Sequence, residues 1–194
     1  MLTQGNLLIR SDTALGTGTL SLNGGLLAAG GARTIANAVS LGGNTVIGGE
    51  TTADNLTLSG AVNLGAGSRT IDIFGQGVTT LSNVVSDDGG GRTLTITSLG
   101  AGTLILAGSN TFGANGGGLT LNNAALVAGN NNAFGAGVLN ISGGRLGAGA
   151  AGVSVSNPVT VGGSFNLGSS AGAGLTLSGT VNLGAKTLTH DGAS

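Results

Sequence analysis

The sequence predicts an all-β fold, a parallel β-helix (β-solenoid) of about eight rungs that takes in residues 1–194 as a single segment. Three observations carry this expectation. Apolar residues alternate with Thr, Ser or Asn in runs of only three to five residues. Gly, Asn, Ser or Ala closes almost every run. Long stretches of the chain also recur at a fixed offset.

Taken in chain order, the first run is Leu20-Ser21-Leu22, closed by Asn23-Gly24-Gly25. Leu56-Thr57-Leu58 follows the same pattern, as do Leu94 and Ile96 between Thr93, Thr95 and Thr97, and Leu104 and Leu106 beside Thr103. Strict alternation sends one set of side chains inward and the other outward. Leu56, Leu58, Leu64, Leu104, Leu106, Leu139, Ile141, Leu175 and Leu177 are therefore expected to point inward, and Thr57, Thr103 and Thr176 outward. Gly and Asn tolerate positive φ, so they suit the corners between runs. A basic residue, Thr and an aliphatic recur at Arg33, Arg69, Arg92 and Lys186. Val78–Val85 comes nearest to a helical pattern, but its β-branched residues argue for strand. Asn-Gly pairs occur only at Asn23-Gly24 and Asn115-Gly116, too few for a stack of hairpins.

Repetition gives the long-range organisation. Leu15–Gly25 recurs as Phe134–Gly144 at an offset of 119, and Ile35–Gly43 as Val155–Gly163 at 120. Leu56–Ala66 recurs almost letter for letter at Leu175–Ala185. The chain thus holds a long repeat at 2–120 and a partial copy at 121–194. It is expected to be a piece of a longer chain, because it starts and stops inside a repeat.

Composition narrows the function classes. Gly numbers 42 and Pro one, without a Gly-X-Y period, so collagen is excluded. Disorder requires low hydrophobicity and high charge. Here 40% of residues are hydrophobic, 7% are charged and the mean hydropathy is +0.40. Aromatics are 2%, so the interior should be narrow and lined by small aliphatics. The net charge of −1 offers no basic patch for nucleic acid or an anionic membrane. Cysteine is absent, which removes disulfides and thiol chemistry. No apolar run reaches transmembrane length, so direct membrane insertion by this segment is not expected. No signal peptide is visible.

Chemistry-bearing residues are sparse, and the reading is that the chain is not an enzyme, with no catalytic, cofactor-binding or metal site. His190 is the only histidine and lies near the end, where fraying is expected. Asp87-Asp88-Gly89-Gly90-Gly91 superficially suggests a calcium loop, but calcium takes six to eight oxygens. Asp12, Glu50, Asp54, Asp72 and Asp191 are scattered singly, whereas glycan-cleaving β-helices need clustered carboxylates. No Gly-Lys-Ser/Thr marks a phosphate loop. Asn55-Leu56-Thr57 and Asn140-Ile141-Ser142 fit the glycosylation sequon by chance. Arg10, Arg33 and Arg145 change identity between the repeats, as solvated positions do. Asn37/Asn157 and Asn63/Asn182 persist in both, and axial amide bonding at corners is expected of them. Outward Thr rows can order water, as in ice-binding solenoids, but Thr93-x-Thr95-x-Thr97 reads as local along the chain.

The segment Gly100-Ala101-Gly102-Thr103-Leu104-Ile105-Leu106-Ala107-Gly108-Ser109-Asn110-Thr111-Phe112 resembles the autotransporter-associated β-strand repeat. Ala133–Leu146 resembles that repeat's trailing part, and Ala14–Leu27 is a second copy of it. Gly113–Gly118 departs from the usual Thr-rich corner. The resemblance implies a right-handed parallel β-helix in a passenger domain exported to the surface of a Gram-negative bacterium. It implies a structural role in secretion and display, the chain's partners being adjoining repeats of its parent. End-to-end self-association is expected where rungs lie open. The alternative is an adhesin-type binding module. Phe74, Phe112, Phe134 and Phe165 are isolated in sequence, which gives that alternative no aromatic patch.

Overall fold

The structure is a computed structural model that describes residues 1–168 and 173–190. Its strands begin with β1 (Asn6–Ile9), β2 (Leu20–Leu22), β3 (Leu26–Ala29), β4 (Arg33–Ile35), β5 (Val39–Leu41), β6 (Thr45–Gly49), β7 (Leu56–Leu58) and β8 (Val62–Asn63). They continue with β9 (Arg69–Gly75), β10 (Val78–Leu81), β11 (Val85–Ser86), β12 (Thr93–Ser98), β13 (Thr103–Leu106), β14 (Gly118–Leu121), β15 (Ala124–Ala128) and β16 (Val138–Ile141). The last are β17 (Gly144–Ala148), β18 (Val153–Val155), β19 (Val159–Val161), β20 (Phe165–Leu167), β21 (Leu175–Leu177), β22 (Val181–Asn182) and β23 (Leu188–His190). The described residues contain no helix, and Val78–Val85 is split between β10 and β11.

Every pairing between these strands is parallel. The strands lie in three columns. A nine-stranded sheet runs β1-β3-β6-β9-β12-β14-β16-β19-β22, and an eight-stranded one runs from β4 to β23. The third face carries β2-β5-β8-β11 near one end and β18-β21 near the other. Nine strands in the longest sheet bracket eight turns, so the solenoid has the expected size.

The turns differ in length. Leu26 pairs with Val46, 20 residues on, whereas Val46 pairs with Asp72, 26 residues on. Strand length hardly changes, so the corners absorb the difference. Corners are also where the glycines are needed. At Gly75, φ is +71° and an added Cβ would lie 2.1 Å from the Gly49 carbonyl oxygen one rung away. Gly60 leaves no more room, with the Asn37 carbonyl oxygen 2.1 Å from where its Cβ would be.

Leu56, Leu58, Leu64, Leu104, Leu106, Leu139 and Ile141 are buried, as alternation predicts. Leu175 and Leu177 pack on the core but are only half-buried, because β21 stacks on one neighbour, β18. Thr57 and Thr103 are half-buried on the outer side, and Thr176 is exposed.

Between β11 and β18 the third face has no strand, and side chains take over. Asn110 is buried; its Oδ1 accepts from the Val85 amide at 2.7 Å and its Nδ2 donates to the Ala133 carbonyl at 2.6 Å. The Thr111 amide donates to the Val85 carbonyl, and the Ala136 amide to that of Phe112. Phe112 and Phe134 are the bulkiest fully buried side chains and fill the core where strands lapse. Phe165 is also buried, so three of the four phenylalanines serve packing.

The long repeat does not return to the same face. β2 is on the third face, yet its copy β16 is in the nine-stranded sheet. β3 is in the nine-stranded sheet, and its copy β17 is in the eight-stranded one. β4 and β7 are in the eight-stranded sheet, and their copies β18 and β21 are on the third face. Because β3 and β16 are five steps apart and β2 precedes β3 by one face, the repeat spans five turns and a third. Pairing within each copy is unchanged: Leu20 stacks on Val39 as Leu139 stacks on Val159. Any face accepts the segment, since each demands the same inward aliphatic ladder.

Two inward strand positions are threonine: Thr45, in register with Ile71, whose hydroxyl donates to the Gly25 carbonyl, and Thr79. Thr79 is fully buried between Leu56 and Leu104, and its Oγ1 has no hydrogen-bond partner. Thr79→Val keeps the shape and removes an unsatisfied hydroxyl, so it should stabilise the fold by about 1 kcal/mol. A rise in the urea midpoint checks this.

Candidate functional surface

The acidic residues are mostly bound to the chain's own backbone. Asp87 accepts from the amides of Gly89 at 2.9 Å, Arg92 at 2.9 Å and Gly113 at 3.1 Å. Burial pushes its pKa up, but these three donors outweigh burial and hold it below the ordinary carboxylate value. Asp88 forms a two-pronged pair with Arg92, with both contacts at 2.9 Å. That pair and the Gly90 amide lower its pKa to about 2. The Asp87–Gly91 turn is thus a self-satisfied corner, and among the described residues no three His, Cys, Asp or Glu side chains group around a cation position.

Asp54 accepts from the Thr51 hydroxyl at 2.6 Å, the Gly31 amide at 2.5 Å and the Thr51 amide at 3.0 Å, which lower its pKa. Asp12 accepts from the Thr34 amide at 3.2 Å. Asp72 is raised by burial and takes the Thr97 hydroxyl. Asp191 lies outside the described residues.

Protonating Asp54, Asp87 or Asp88 costs the folded state more than the unfolded one, since their folded pKa values are the lower. Their contribution is complete above the unfolded carboxylate pKa of about 3.9 and is lost as pH falls through the folded values. The amide resonances of Gly31, Gly89 and Gly113 should therefore shift below about pH 4. Unchanged resonances at lower pH would contradict the assignment.

Two sequence expectations need correction. His190 is the last residue of β23 and pairs in register with Leu167 rather than fraying. Glu50 and Asp54 are not scattered singly. They meet Arg10, Leu8 and Phe74 along a shallow groove of about 420 Å³ beside the nine-stranded sheet. Chain separation hid this, because Arg10, Glu50 and Phe74 belong to different rungs. Asp54's carboxylate is already occupied there, whereas Glu50 is exposed. The groove borders an outward apolar row, Leu8-Ala28-Gly48-Phe74, that runs on to the exposed Leu99.

The paired asparagines divide. Asn37 donates to the carbonyls of Gly16 and Gly18, one rung away, and Asn157 does the same to Gly135 and Gly137. These axial bonds go to backbone rather than to another Asn. Asn63 and Asn182 instead close local turns onto Gly65 and Gly184. Asn55, of the first sequon, accepts from the Val78 amide at 2.8 Å and so holds a corner. Arg33 donates to the Ala32 carbonyl, and Arg145 is exposed.

The class of protein defined by this architecture is a parallel β-solenoid. Comparison with family models, with curated proteins and with solved structures finds no match.

Proposed function

We propose that the chain is a structural stalk or passenger segment of an exported bacterial surface protein, supporting secretion and display. The observation that carries this reading is the continuous stack: nine parallel strands with an aliphatic ladder inside, whose Asn and Asp side chains mostly serve neighbouring backbone. Such a rod grows rung by rung, each rung templating the next, which suits a chain that folds as it emerges from an export pore. In this reading it is not an enzyme and holds no cofactor, and its partners are adjoining rungs. Val181 and Leu188, exposed by 40% and 39% on the last described strands, are where a further rung or a second copy would stack.

The test places the segment between an epitope and an outer-membrane β-barrel and scores epitope on intact cells. Replacing residues 1–194 by a flexible Gly/Ser linker of equal length should sharply reduce surface signal. Equal display by the linker would overturn the reading.

The Arg10–Glu50–Phe74 groove favours one second reading, an adhesin-type module contacting host or neighbouring cells. Loss of cell adherence on Phe74→Ala, with display unchanged, would support it over the stalk alone.

A further inference from the structure

Strand register turns scattered threonines into a ladder. On the outward side of the nine-stranded sheet, Thr70 pairs with Thr95, Thr95 with Thr120, Thr120 with Asn140 and Asn140 with Thr160. No bulge interrupts these five positions. Successive members lie about 4.8 Å apart along the axis, and the next outward row lies about 6.6 Å away along the strands. That second row contains Thr97, which pairs with Asp72, and continues through Asn122 and Ser142. Among the described residues no hydrogen bond engages the hydroxyls of Thr70, Thr95, Thr120 or Thr160, and all four are at least partly exposed. The charge nearest in register, Asp72, is taken by the Thr97 hydroxyl.

We propose that the Thr70-Thr95-Thr120-Asn140-Thr160 ladder, with the row beside it, is an ice-binding surface. A rectangular grid of this kind approximates the spacing of oxygens on the prism faces of hexagonal ice. Hydroxyls and amides held at that spacing fix water in lattice positions, while the threonine methyls between them order the water that bridges to the crystal. The two rows themselves carry no aromatic side chain, which distinguishes them from a sugar-stacking platform; Phe74 lies one outward position beyond Asp72 on β9. A neutral crystal also needs no charge complement, unlike nucleic acid or an anionic membrane. The proposal is independent of the stalk reading, because it concerns one outward face and not what the rod supports.

The 194-residue chain is allowed to partition into a slowly growing ice hemisphere, and crystal habit is watched in the same solution. The protein should enter the ice and facet the crystals. Thr95→Tyr and Thr120→Tyr break the grid without touching the core and should abolish both effects, with the circular dichroism spectrum unchanged. Thr80→Tyr is the control, since Thr80 faces outward on the eight-stranded sheet between Thr57 and Ile105. It should behave as wild type. Exclusion of the wild-type chain from ice, retention by Thr95→Tyr, or equal loss in Thr80→Tyr would each overturn the proposal.

Discussion

Leu106→Asp should unfold its rung and divide the stack. Leu106 is fully buried in the eight-stranded sheet, between Leu81 of the preceding rung and Ala128 of the next. A carboxylate there either ionises without a partner in a dry interior or protonates and still lacks a hydrogen bond. Either route costs several kcal/mol or more. Rungs in a solenoid contact only their neighbours, so a broken rung uncouples the strands on either side. Denaturation should show a large loss of stability, with two transitions in place of one if both sides survive. Thr57→Asp supplies the comparison. Thr57 faces outward between Thr34 and Thr80 and is half-buried, so the change should be about 0.5 kcal/mol or less. Equal effects at the two positions would mean that the inward and outward faces have been exchanged.

Phe112→Ala should cost about 3–5 kcal/mol, the usual range for a buried phenylalanine. The expected value is at the top of that range, because the third face has no strand there and little backbone that could collapse into the space. The loss should be visible in the urea midpoint and should be matched by Phe134→Ala, one rung on. Phe74→Ala removes a half-buried outward ring and should cost much less. A Phe112→Ala effect no larger than that of Phe74→Ala would show that the plug is not what closes the core.

Two levels of information are separated in this chain. Alternation such as Leu56-Thr57-Leu58 or Leu104-Ile105-Leu106 determined by itself which side chains point inward, because a strand has a period of two whatever it pairs with. The glycine-rich corners were equally legible, since only glycine tolerates the close approach seen at Gly60 and Gly75. The phenylalanines were legible only in part. Phe112 and Phe134 appear isolated in sequence, and their joint role emerges once both rungs turn out to lack a third strand.

What the tertiary structure alone decided is everything that depends on lateral register. Turn lengths vary between 19 and 26 residues, so no constant period reveals which residue stacks on which. That variation carries the second copy of the long repeat one face further round. It brings Glu50 and Phe74 to Arg10, and it aligns Thr70, Thr95, Thr120 and Thr160, which stand 25 to 40 residues apart in sequence, into one ladder. The physical reason is that pattern along a strand is set by local backbone geometry, whereas pattern across strands is set by how many residues each corner spends before the chain returns to its sheet.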